Sequence, residues 1–192
     1  METVQIDINK RYSYAEYLTW FDNVRRELID GFIKLMTPVP TRKHQLVSYK
    51  IVRLLGNFIE KKPCQIYYSP FDVRFPQNKN DKEIFTVVQP DIYIVCDLEK
   101  LDEKDCIGAP DLIIEVITPK YGKRDVKDKF KIYEENGVRE YWIVHPNDET
   151  VIVFLLDETG KFAHSGMYAG NDKIPVAIFD GNLDVDLTEV FE

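Results

Sequence analysis

Asp91 and Glu115 are the residues of this chain best placed to do chemistry. Asp91 follows Gln89-Pro90 and opens the apolar run Ile92-Tyr93-Ile94-Val95, while Glu115 lies inside Leu112-Ile113-Ile114-Glu115-Val116-Ile117. Side chains alternate between the faces of a strand, so Glu115 shares a side with Ile113 and Ile117, where an unpaired carboxylate is strongly disfavoured. Pro90 cannot donate a ladder hydrogen bond and suits a strand start, which lets Asp91 sit at an opening in the sheet. If the two strands are neighbours, carboxylates ~4 Å apart repel by about 4 kcal/mol at an effective dielectric near 20. A hard divalent cation reverses that sign. Mg²⁺ (or Mn²⁺), which takes one or two protein carboxylates plus waters and phosphate oxygens, fits so sparse a pair better than an all-protein cage does.

Lys129 is the third candidate. It falls three residues after Val126 and four before Tyr133, so it borders the buried stripe of a helix and can lean over the sheet. An ammonium there can orient an attacking water and stabilise charge on a phosphate. Asp125, four residues earlier, offers the competing outcome of an ordinary helix-surface ion pair. Asp111 shares a strand face with Glu115, but four residues at ~3.3 Å each separate them too widely for one ion, so a loop contact or an outer water shell is expected. Asp72, after Pro70-Phe71, is either a turn-stabilising acid or an outer ligand. His44 near a helix start is expected to hydrogen-bond as the neutral ring, because the N-terminal dipole disfavours imidazolium. His145 and His164 read as polar loop residues, and no Gly-rich phosphate loop, nucleophile elbow or His-x-x-x-His pair is present.

The elements that must position these groups follow from pattern. Ser13 and Glu16 form a capping-box spacing, predicting a short helix over residues 13–22. Asp30-Gly31 between Glu27-Leu28-Ile29 and Phe32-Ile33-Lys34-Leu35-Met36 predicts a two-residue hairpin, ended by Pro38 and Pro40. Val47, Ile51, Leu54, Leu55 and Phe58 make one helical stripe over residues 41–62. Strands are expected over 65–75, 85–96 and 112–117, with polar loops at 76–83 and 97–109. A helix through Val126, Phe130 and Tyr133 stops at Asn136-Gly137. Buried strand 141–144 and strand 150–156 follow, and beyond a turn at 157–160 only weak strand signals remain, near 173–179. The fold class is therefore α/β (α+β), with helices packed on a mixed sheet.

The 192 residues suit a single domain, with its core over about 41–156. Apolar residues at 44% and charged residues at 30% exclude a disordered tail. No apolar run reaches a membrane span and no signal-peptide pattern opens the chain, so a cytoplasmic protein without membrane association is expected. Cys64, Cys96 and Cys106 are odd in number without Cys-x-x-Cys spacing, which indicates neither a disulfide framework nor a cysteine zinc site; they read as core or loop residues. A net charge of −8 argues against general coating of nucleic acid. Residues 41–62 and 118–131 are nonetheless locally basic, as solvated helix faces or as a phosphate-backbone contact.

The order of elements resembles the PD-(D/E)XK nuclease superfamily, whose core runs αβββαβ, here with an added N-terminal helix and hairpin. The nearer resemblance is to the Uma-type family of bacterial restriction-endonuclease-like proteins. It is carried by Glu27-Leu28-Ile29-Asp30-Gly31, His44, Gln89-Pro90-Asp91, the stretch from Gly108 to Val116, Arg124-Asp125 with Lys129, and Tyr133-Glu134 to Trp142, spanning about residues 12–156. The resemblance implies a Mg²⁺-dependent endonuclease acting on DNA, with Asp91, Glu115 and the carbonyl of Val116 as metal ligands and Lys129 in the lysine role. The superfamily places that lysine two residues after the glutamate, where Ile117 stands here, so the ammonium must arrive from the helix. Glu27 is the substitute for an acid that the superfamily often carries on the first core helix. The alternative is an inactive module of the same fold that binds nucleic acid or a protein partner. A homodimer through the late strands is compatible with either.

Overall fold

Thr41 accepts a hydrogen bond from the amide of His44 and starts the longest helix, whose stripe Val47, Ile51, Leu55 and Ile59 is buried in one hydrophobic cluster. The structure, a computed structural model, describes residues 6–21, 24–36, 40–76, 80–118 and 122–192, with only the backbone of 81 and 122–125. In chain order its elements are α1 (Tyr14–Tyr17), β1 (Arg26–Ile29), β2 (Phe32–Leu35), α2 (Arg42–Ile59), β3 (Gln65–Tyr68), β4 (Asp72–Arg74), β5 (Val87–Val88), β6 (Ile92–Val95), β7 (Asp105–Ile107) and β8 (Leu112–Val116). Then follow α3 (Gly122–Glu135), β9 (Glu140–His145), β10 (Thr150–Leu156), β11 (Phe162–Ala169), β12 (Lys173–Pro175), β13 (Asp184–Asp186) and α4 (Leu187–Phe191).

A six-stranded mixed sheet, ordered β11-β10-β9-β8-β6-β3, is the centre of the fold. Strand alternation divides its side chains. Ile92, Ile94, Leu112, Ile114 and Val116 face α2, whereas Tyr93, Val95, Ile113 and Ile143 face the cluster holding Ile132 and Tyr133 of α3. Both faces are covered, which is why β6 and β8 read as nearly continuous apolar runs. A second sheet, β2-β1-β5-β4-β7, packs Val73, Val88 and Cys106 into the α3-side cluster. Its hairpin β1-β2 turns at Asp30 (φ 52°) and Gly31 (φ 83°), the paired left-handed conformation that a two-residue turn with native twist requires. A Cβ at Gly31 would meet the Tyr12 carbonyl oxygen at 3.1 Å.

Several local expectations change. The segments 65–75 and 85–96 are not single strands: each breaks next to a proline, at cis Ser69–Pro70 and at Pro90, and its two halves join different sheets. A proline cannot extend the ladder, and here it marks where the chain crosses over. Residues 97–109 are not merely a polar loop, since β7 runs parallel to β4 and buries Asp105 completely. Cys64 and Cys96 are disulfide-bonded with Cα atoms 4.0 Å apart, because the neighbouring residues Gln65 and Val95 pair across β3 and β6. Finally, α1 is only one turn, although its Ser13–Glu16 capping box is present, and β11 is a full eight-residue strand where the sequence signal had faded. Residues from Ile174 to Val190 also join the α2-side core. No described helix is long and apolar enough to cross a membrane.

Candidate active site

The crossovers at the two prolines leave a cleft of about 660 Å³ between the sheets, lined by Glu27, His44, Gln89, Asp91, Glu115, Val116 and Lys129 among others. Strands β6 and β8 are antiparallel neighbours with Ile92 opposite Ile114, so Asp91 and Glu115 emerge side by side at one end of the ladder. Asp91 Oδ2 accepts from the amide of Val116 at 2.8 Å, and its Oδ1 lies 3.3 Å from His44 Nε2. The adjacency needed for a two-carboxylate site is therefore present. His44 is buried, and its Nδ1 has no hydrogen-bond partner among the described residues.

Lys129 reaches the same cleft from α3. Its Nζ lies 3.1 Å from Glu115 Oε1 and 3.0 Å from Glu27 Oε1, and all three side chains are at most 7% exposed. Tyr133, one turn further along α3, donates to Glu115 Oε1 at 2.6 Å. Glu27 arrives from β1 of the second sheet and also accepts from the amide of Gln89 at 2.9 Å. Burial pushes Glu115 up to about 8, partly offset by the ammonium of Lys129 and reinforced by the charges of Asp91 and Glu27. The side chain of Asp125 lies outside the described residues, and so do those of Lys120, Lys123 and Arg124.

Gln89 is the clamp that the sequence did not announce. Its Oε1 accepts from Arg25 and its Nε2 donates to Asp72 Oδ1 at 2.7 Å. Burial raises Asp72 to about 6, its bond to Gln89 acting in the opposite direction. Asp72 is thus held behind the cleft lining. Asp111 accepts from the amide of Cys96 at 2.7 Å and from Arg139 at 3.0 Å, the loop contact expected of it. Glu140 of β9 is fully buried and accepts from Trp142 Nε1 and the amide of Ile178, which makes it a brace for the C-terminal segment. Tyr133 was legible only as core: its four-residue spacing from Lys129 placed it on the same face, but nothing local marked its hydroxyl as a partner of Glu115.

Residues 14–188 match the model of the Uma2 family, described as "putative restriction endonuclease". The chain belongs to that family. An uncharacterized protein of Synechocystis sp., slr1290, is 23% identical over 180 residues, covering 92% of this chain and 90% of its own. A crystal structure described as "a putative nuclease belonging to DUF820" from Anabaena variabilis superposes with a TM-score of 0.73 at 19% identity, covering 93% of this chain and 97% of its own. The Uma2 chain shares that fold, a mixed α+β arrangement of sheets flanked by few helices.

The donor set of this Uma2 site can be tested against a hard cation. It offers the carboxylates of Asp91, Glu115 and Glu27, with Val116 beside them, all lining one cleft. Among the described residues no three His, Cys, Asp or Glu side chains converge as a ready-made metal cage. Two acids plus solvent is nevertheless the pattern Mg²⁺ favours, and the charges of Asp91 and Glu27, which together with burial raise Glu115 above its ordinary value, are a repulsion that such an ion would relieve. The residues fit such an ion.

Proposed function

We propose that this chain is a Mg²⁺- or Mn²⁺-dependent endonuclease that hydrolyses phosphodiester bonds of DNA. The observation that carries the reading is the buried ammonium of Lys129, held on Glu115 and Glu27 beside Asp91 at the wall of an open cleft. Family membership and the likeness to a protein described as a nuclease support it. Asp91, Glu115 and the Val116 carbonyl would hold the ion, which when bound supplies Lewis-acid polarisation of a phosphoryl oxygen.

The chain's own residues have separable tasks. Lys129 offers positive charge and hydrogen bonds where charge grows on the phosphate and can orient the incoming water. Glu27 fixes the height of that ammonium from the opposite sheet, and the Tyr133 hydroxyl fixes the carboxylate plane of Glu115. The Val116 amide and His44 orient Asp91 from two sides. Cleavage of plasmid and single-stranded DNA by the purified protein, with Asp91→Ala and Glu115→Ala beside it, is the test. Metal-dependent cleavage lost in both variants is expected, and equal activity in all three proteins would remove the assignment.

One observation favours a second reading, an inactive module of the same fold that binds nucleic acid or a protein partner. Glu27, Asp91 and Glu115 each already have partners within the protein. Calorimetric titration with Mn²⁺ separates the two: no binding heat, in a protein that folds, would favour the module.

A further inference from the structure

The cleft continues well past the acids, and its outer part has a different chemistry. Tyr49 on the outward face of α2 is 61% exposed and Tyr68 at the end of edge strand β3 is 63% exposed, yet both line the cleft that holds Asp91 and Glu115. Leu35, Met36 and Val52 add apolar wall beside them. Tyrosine offers a flat π face, and flat π faces lining the same cleft as a phosphate-cleaving site suit the faces of bases. Arg25 supplies a cation at the same wall. Its guanidinium donates to the neutral Gln89 and Ser69, and among the described residues no carboxylate pairs with it.

We infer that the substrate of this site is an unpaired stretch of nucleic-acid strand, with Tyr49 and Tyr68 stacking on its bases and Arg25 taking a phosphate. This rests on the nuclease reading and narrows it. In a duplex the faces of the bases are covered by their neighbours, so a stacking platform is of use only to bases that have left the stack. A net charge of −8 also denies the chain the broad phosphate neutralisation on which duplex affinity chiefly rests. A cleft of about 660 Å³ is the size of a small-ligand pocket and accommodates nucleotide units one by one.

The experiment is fluorescence anisotropy with Ca²⁺ present, using a labelled oligodeoxynucleotide, its blunt duplex, and an abasic strand with the same number of phosphates. The wild-type protein should prefer the single strand and bind the abasic strand poorly. Tyr49→Ala and Tyr68→Ala should each weaken single-strand binding by about 5- to 150-fold, the range of one lost base stack, while Tyr49→Phe and Tyr68→Phe retain it. Arg25→Gln should weaken the normal and abasic strands alike and reduce the salt dependence. Because both tyrosines are exposed, the alanine variants should melt like wild type. Duplex binding as tight as single-strand binding, equal affinity for the abasic strand, or unaffected alanine variants would each overturn the inference and leave the nuclease reading standing if DNA is still cleaved. If no form of DNA is bound or cleaved, both readings fall together.

Discussion

Replacing Glu115 by Gln removes a buried charge while keeping the side chain's shape, so its effect can be worked from the site. Burial lifts the carboxyl from an ordinary 4.5 to about 8 in the folded protein without metal. Between those values the folded chain holds a proton that the unfolded chain has released, so stability falls as pH rises through the window, by ~1.4 kcal/mol per pH unit. Asp72, raised to about 6, acts in the same direction but is largely spent by pH 7. The interval from pH 6 to 8 is therefore dominated by Glu115, whose share of the loss there is about 2 kcal/mol. For a chain of this size that corresponds to ~4–8 °C in melting temperature. Urea denaturation in EDTA at pH 6, 7 and 8 would show it: wild type loses stability across the series and Glu115→Gln stays nearly flat. Adding Mg²⁺ at pH 8 should restore wild type through mass action, by ~2.7 kcal/mol at a hundredfold excess over its dissociation constant, and should leave the variant unchanged. An identical pH slope in the two proteins would refute the account of Glu115 as a buried acid kept for an absent charge.

Two further substitutions probe the ion networks. Lys129→Met strands Glu27 and Glu115 without the ammonium that touches both, and should cost about 3–5 kcal/mol at pH 9, with a smaller loss at pH 6, where Glu115 can take up a proton; a loss that does not vary with pH would count against it. Arg74→Ala should destabilise by about 3–5 kcal/mol in equilibrium unfolding, because Arg74 pairs with the fully buried Asp105, which also accepts from the Tyr14 hydroxyl at 2.5 Å, and it loses a cation–π contact with that ring. DNA binding should survive the Arg74 change, since that cluster lies away from the cleft lining.

Much of the site was readable because its residues violate local pattern. An acid inside Leu112–Val116 is conspicuous in a run buried on both faces, and Asp91 after Pro90 marks a strand start. Lys129 at the border of a helical stripe is likewise out of place, and the structure buries it at 4% exposure. No local pattern revealed the partners of these groups, and Glu27 was reached only through the family resemblance. Glu27 comes from a hairpin 88 residues before Glu115 and belongs to another sheet, and Tyr133 differs from a plain core tyrosine only through what its hydroxyl meets. The same holds for Arg74, Asp105 and Tyr14, whose spacing carries no shared period, and for Cys64 and Cys96, which meet only because β3 and β6 pair in one register.

By itself the chain of residues determined the individual elements: the Ser13 cap, the Asp30-Gly31 turn, the stripes of α2 and α3, and the apolar runs of β6 and β8. These depend on interactions within a few residues, which sequence order preserves. Only the tertiary structure decided that the segments around Pro70 and Pro90 would split between two sheets, and that the cleft so opened would gather Glu27, Asp91, Glu115 and Lys129 with Tyr49 and Tyr68. Sheet partnership is settled by burial summed over the whole core, and no local spacing encodes which distant strand will satisfy a given edge.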